Sequence, residues 1–155
     1  MPHPIKRHES LQPLSREHHF GLLLSWKIRE GFRKNIDLKR IKAYLNWSWE
    51  KMLKPHIEFE EKHLFPILPP HHGHVKKALA EHRRLERLFE QEDQLEKSLS
   101  LIEEELEQHI RFEERVLFNE IQEVASPKQL QLVEEQHSQP TEKSEWKDAF
   151  WQSPE

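Results

Sequence analysis

A histidine followed four residues later by two glutamates occurs twice in the chain, at His56-Ile57-Glu58-Phe59-Glu60-Glu61 and at His109-Ile110-Arg111-Phe112-Glu113-Glu114. Four residues make slightly more than one helical turn, so His56 and Glu60 share a helix face, as do His109 and Glu113. Bulky apolar residues flank both pairs. Imidazole nitrogens and carboxylate oxygens on inward stripes of two helices suit a buried metal centre. A chain built this way is expected to bring the two helices face to face.

Composition supports long helices. The 155 residues include 12 histidines but only 3 glycines, so ligands are plentiful and tight turns few. The absence of cysteine excludes disulfides, thiolate ligands and thiol catalysis. A formal charge of -4, with no basic tract, argues against nucleic acid and anionic membranes as partners. The length suits one domain with a proper core. No apolar run is long enough to span a membrane, and the N-terminus lacks the apolar core of a secretory signal, so a cytoplasmic location is expected.

Residues 1–14, with Pro2, Pro4 and Pro13, read as an extended arm. Ser15 is the expected N-cap of a first helix over 15–30, stopped by Gly31. Asn35 or Asp37 caps a second, reaching about residue 64. Ile41, Tyr44, Leu45, Trp49, Met52, Leu53, Ile57 and Leu64 sustain its helical period across Pro55. An interior proline costs about 3 kcal/mol and predicts a kink in one long helix, with a split into two stacked helices at Lys54 as the alternative. Pro66, Pro69, Pro70 and Gly73 mark a loop, and a third helix follows over 74–92. A fourth runs from about 98 to 124. Residues 15–124 thus form the main domain, and 125–155 a C-terminal extension. Ser126-Pro127 opens a fifth, short helix over 128–136. Trp146, Ala149, Phe150 and Trp151 predict another short helix, docked on the domain or on a neighbouring chain. No internal repeat, phosphate loop or zinc-finger spacing is expected from the pattern.

The expected fold is all-α: an up-down-up-down four-helix bundle with short additional C-terminal helices. In such a bundle the starts of helices one and three lie beside the ends of helices two and four. His18 begins the first helix, His82 lies two turns into the third, and both His-x-x-x-Glu pairs sit late in the second and fourth. All six residues therefore fall at one end. Glu60 and Glu113 can bridge two metal ions, His18 and His56 completing one and His82 and His109 the other. This donor set suits iron or manganese, while the lack of thiolate disfavours structural zinc. Glu61 and Glu114 point about 100° away from their neighbours and serve at most to orient imidazoles. Only one of His18 and His19 can face inward. His63, His71, His72 and His74 belong to an exposed loop.

Four stretches, Leu14-Ser15-Arg16-Glu17-His18-His19, His56-x-x-x-Glu60-Glu61-x-His63-Leu64-Phe65-Pro66, His82 and His109-x-x-x-Glu113-Glu114, together resemble the hemerythrin-like, HHE cation-binding family over residues 14–124. The resemblance implies a four-helix bundle holding a non-haem iron pair on His18, His56, Glu60, His82, His109 and Glu113. Two iron ions, oxo- or hydroxo-bridged, are the expected cofactor; one ion or another divalent metal is the variant. Family members with a full ligand set carry two histidines four apart on the third helix, whereas Ala78 stands one turn before His82 here. That departure predicts one poorer coordination sphere, with Glu86 as the candidate additional ligand. The expected function is binding or sensing of dioxygen or a related small gas or oxidant. The alternatives are an iron-dependent oxidase or nitric oxide- or peroxide-handling enzyme, and a metal-stabilised interaction protein. In the last case the aromatic tail would contact a second copy or a protein partner.

Overall fold

The computed structural model of the chain describes residues 6–137 and 146–152, and among these every regular element is helical. A 3-10 turn, Glu9–Leu11, leads into α1, Gln12–Arg33. α2, Leu38–Ser48, and α3, Lys54–Phe59, form a second continuous rod. A π turn at Trp49–Leu53 joins them, and another at Glu60–Leu64 extends the rod. The third rod is α4, Gly73–Glu90. The fourth comprises α5, Leu95–Phe112, a π turn at Glu113–Leu117, and α6, Phe118–Val124. A short α7, Pro127–Gln136, follows behind a capping box in which Ser126 and Gln129 satisfy each other's backbone. None of the helices is long and apolar enough to cross a membrane, among the described residues.

Several boundaries differ from those the sequence pattern predicts, each for a local reason. α1 begins at Gln12 rather than Ser15, because Pro13 fits the first turn of a helix, where no N–H is needed. The expected arm is correspondingly shorter, and Pro2 and Pro4 lie outside the described residues. α1 also passes through Gly31. That glycine admits the second rod: a Cβ there would stand 2.6 Å from Ile41 Cδ1. The stop is Asn35, left-handed at φ 56°, with Asn35 N–H donating to Phe32 and Ile36 N–H to Gly31. Asp37 supplies the next cap, accepting from Lys39 N–H at 2.9 Å. α4 starts at Gly73, capped by His72, and finishes at Glu90 rather than residue 92.

Pro55 leaves its rod unbroken. The π turn before it lets Lys54 N–H reach back to Trp49 C=O, so the helix widens where a proline would otherwise crowd it. Two further π turns begin on Glu60 and Glu113, the paired carboxylates of the recurrent motif.

α1 packs along α5, α4 also packs along α5, and α2 touches both α1 and α5. Their buried residues form two apolar layers. One contains Leu24, Leu53, Leu85, Leu106 and Ile110; the other contains Leu14, Leu64, Ala78, Leu117 and Phe118. On rods one and three the second layer comes first in sequence, and on rods two and four it comes last. Between the layers every rod turns polar, with His18, His56, Glu60, His82, His109 and Glu113 all buried.

The tail residues 146–152 form consecutive turns rather than the expected helix. Its backbone bonds are short-ranged, Ala149 N–H to Lys147 and Phe150 N–H to Asp148, and its rings do the docking. Phe150 and Trp151 lie 5.8 and 5.0 Å from the Tyr44 ring, and Trp146 lies 5.7 Å from Trp47. Lys27 donates to the Tyr44 hydroxyl at 2.9 Å and stands 4.0 Å over Trp151. A forked Arg40–Asp148 pair, at 3.0 and 2.6 Å, pins the turn. The aromatics thus dock on their own chain.

Candidate metal centre

The four rods bring the six candidate ligands into two buried quartets. His18, His56, Glu60 and Glu113 offer donor atoms that all lie within 4.8 Å of one another, and so do Glu60, His82, His109 and Glu113. Both glutamates belong to both quartets. Glu60 turns Oε2 toward His18 and His56, at 3.4 and 3.0 Å, and Oε1 toward His82 at 3.2 Å. Glu113 turns Oε1 toward His18 at 2.9 Å, and Oε2 toward His82 and His109 at 3.3 and 3.1 Å. Each carboxylate therefore spans the two quartets with one oxygen on each side. His18 is the inward residue of its pair, and His19 is exposed.

Every histidine presents Nε2 to this interior and binds an outer carboxylate through Nδ1. His18 pairs with Glu114 at 2.8 Å, His56 with Glu17 at 2.8 Å, His82 with Glu61 at 2.7 Å and His109 with Glu81 at 2.7 Å. An ionised carboxylate only accepts, so each Nδ1 carries a proton, and Nε2 is the atom that can turn to an ion once its own proton is lost. Three outer carboxylates are backed by permanent cations: Glu114 by Arg7 at 2.9 Å, Glu81 by Lys77 at 2.8 Å, and Glu61 by Arg83. Glu17 is backed by His137 at 3.2 Å.

Burial opposes charging the His56 ring, yet the Glu60 charge and hydrogen bonds to Glu17 and Glu60 hold its pKa up at about 9. Burial and the Glu113 charge push Glu60 upward, but His56 and His18 outweigh them and hold it at about 2. His18 and His82 are likewise raised, with burial opposed chiefly by hydrogen bonding to Glu113. The interior thus demands positive charge beside every Nε2. Two divalent ions carry the same charge as four ring protons, so metal can replace them without changing the balance. The residues fit such a pair in one further respect: Glu60 Oε1 is buried and accepts no hydrogen bond.

A small cavity adjoins the quartets, lined by Trp49, Met52, Leu53, Leu85, Leu106 and Ile110 beside His18, His56 and His109. It leaves about 20 Å³ for the centre of a water-sized molecule, enough for one water or a diatomic ligand. Gly21 helps to shape it. A Cβ at that position would stand 2.4 Å from Ile110 Cδ1, so the glycine lets the first and fourth rods close.

Three expectations are corrected here. Glu86 is not part of the centre: it is half exposed and lies beside Arg83 at 3.9 Å. Ala78 does not leave one quartet poorer, since both contain two histidines and the same two glutamates. It is buried in an apolar layer, and Leu14 holds the equivalent place, four residues before His18. The chain also has an internal repeat. His-Ile-x-Phe-Glu-Glu-x-x-Leu-Phe begins at both His56 and His109, and Glu-His occurs at Glu17-His18 and Glu81-His82. The final Phe of each copy covers the histidine of the other half's Glu-His pair, Phe65 with His82 at 5.6 Å and Phe118 with His18 at 4.9 Å.

Sequence reasoning assigned outer places to Glu61 and Glu114 but missed Glu17 and Glu81. The signal was the glutamate immediately before each inward histidine. Comparison of the chain with protein-family models, with curated proteins and with solved structures found no match.

Proposed function

We propose that the protein is a non-haem di-iron protein of hemerythrin-like type, its four rods forming an up-down-up-down four-helix bundle, and that it binds or senses dioxygen or a related small oxidant. The observation that carries this reading is the pair of buried two-histidine, two-glutamate quartets sharing both carboxylates. A thiolate-free set of imidazole and carboxylate donors favours iron or manganese over structural zinc. Iron bound there would supply one-electron redox chemistry and coordination positions for a small ligand.

The chain's own residues do the rest. Glu60 and Glu113, shared by both quartets, would hold two ions, and four imidazoles present Nε2 from four rods. Glu17, Glu61, Glu81 and Glu114 keep those rings turned inward by accepting the Nδ1 protons. The apolar lining limits water beside the ions, and its size selects for small ligands.

Metal analysis of protein purified without a histidine tag, with optical spectra under nitrogen and then air, tests the reading. Two irons per chain and oxygen-dependent near-ultraviolet charge-transfer bands are expected. Bands that reverse under nitrogen mean binding or sensing, whereas irreversible change means an oxidase or peroxide-handling role. Substoichiometric metal with no oxygen-dependent band would overturn the proposal in favour of a structural role.

A further inference from the structure

We propose that His72, His74 and Glu120 form a separate surface site for one divalent transition-metal ion of the zinc class. His72 and His74 sit at the start of α4, and Glu120 lies on α6. The glutamate offers one oxygen to each ring, Oε2 to His72 Nε2 at 3.0 Å and Oε1 to His74 Nδ1. One donor atom from each residue lies within 4.8 Å of the other two. Zinc bonds nitrogen and carboxylate oxygen at about 2.0–2.2 Å, so the three donors need to part only slightly to admit it.

Charge and convergence together set this cluster apart. Of the four carboxylates that hold rings at the buried centre, Glu61, Glu81 and Glu114 are each neutralised by a lysine or arginine, and Glu17 pairs with His56 and His137. Glu120, among the described residues, pairs with histidines alone. Glu60 and Glu113 share that property. Glu17 also faces two imidazoles without a fixed cation, but only at Glu120, Glu60 and Glu113 do such a carboxylate and its imidazoles converge within 4.8 Å, among the described residues.

Two imidazoles, one carboxylate and an open side match a zinc site whose remaining position is taken by water. The exposure of His74, 47%, leaves that side to solvent. One local bond opposes binding: His72 Nδ1 accepts the His74 N–H at 3.2 Å, capping α4. An ion on Nε2 moves the ring proton to Nδ1 and releases this long bond, whose N–H lies at the surface. In return the ion ties the first turn of α4 to α6.

Zinc titration of the iron-loaded protein tests the site, using wild type, His74→Ala and Glu120→Gln. Bound zinc is counted by equilibrium dialysis and the melting temperature is followed. Wild type is expected to bind one zinc more than either variant, at equal iron content, with at least tenfold weaker binding in the variants; zinc should raise the melting temperature of wild type only. Equal zinc in all three proteins would overturn the assignment, as would zinc lost in His63→Ala or His71→Ala but kept in His74→Ala. The readout is a difference between chains with the same buried centre, so it stands or falls separately from the iron reading.

Discussion

Glu17 and Glu81 hold equivalent places on the first and third rods: each precedes an inward histidine, and each accepts the Nδ1 proton of a histidine on the following rod, His56 at 2.8 Å and His109 at 2.7 Å. The one-residue step that turns each glutamate away from its own rod's ligand directs it to the neighbour's. Each ring is therefore held from a rod other than its own.

Glu81→Ala should weaken metal binding about 10- to 100-fold without changing its stoichiometry, because His109 loses the group that orients it. Glu81→Gln keeps an acceptor and should lose less. Anaerobic titration with ferrous iron measures both, and wild-type affinity in the alanine variant would show that His109 needs no such partner.

His109→Ala removes a candidate ligand, leaving Glu81 without its ring and Glu113 with two imidazoles instead of three. Iron content should fall, and the melting temperature of the iron-loaded protein with it. Glu86→Ala, at a half-exposed position outside the centre, should change neither. Matching calorimetric melts for wild type and His109→Ala would contradict the placement of that ligand.

Metal-free and metal-loaded protein should respond oppositely to pH. The folded pKa of His56 is raised from 6.5 to about 9, so its stabilisation is complete below about pH 6.5 and lost as pH rises through 9. That of Glu60 is lowered from 4.5 to about 2, so its contribution is present above about pH 4.5 and lost as pH falls through 2. The metal-free protein should accordingly melt highest between about pH 4.5 and 6.5 and weaken toward pH 9. Iron requires unprotonated Nε2, so the loaded protein should keep its stability at pH 9 and shed metal on acidification. Melting curves with parallel metal analysis separate the two profiles.

Gly21→Ala should destabilise the fold by at most about 2 kcal/mol, the cost of over-packing less the roughly 1 kcal/mol that alanine gains over glycine inside a helix. The new Cβ would meet Ile110 Cδ1 at 2.4 Å, beside the cavity. Urea unfolding gives the loss directly. The companion change Ile110→Val removes the colliding methyl and should restore part of the stability.

The rods were legible because their apolar positions recur at helical spacing, and the six candidate ligands because that spacing places them at one level. Gly31 misled: a glycine near a helix end reads as a stop, although its role is to admit Ile41. Ala78 misled differently, since counting histidines on one helix gives no hint that Leu14 holds the matching place on another. The repeat was hidden by its spacing, because only short segments recur and unequal loops lie between them. Least legible were Arg7 and His137, which reach Glu114 and Glu17 across 107 and 120 residues. No local pattern encodes such long-range partners.

The repeat has a consequence for how the centre can be assembled. Glu17, His18, His56, Glu60 and Glu61 come from one half of the chain; Glu81, His82, His109, Glu113 and Glu114 come from the other, with no ligand left over on either side. Neither half closes a quartet alone, since each quartet needs the other half's glutamate. Two identical half-chains in this arrangement would supply the same inventory. In assembly terms the centre is a two-fold interface whose partners happen to be covalently joined, and the connection between them, which buries Leu68 and carries His72, supplies none of the centre's own donors.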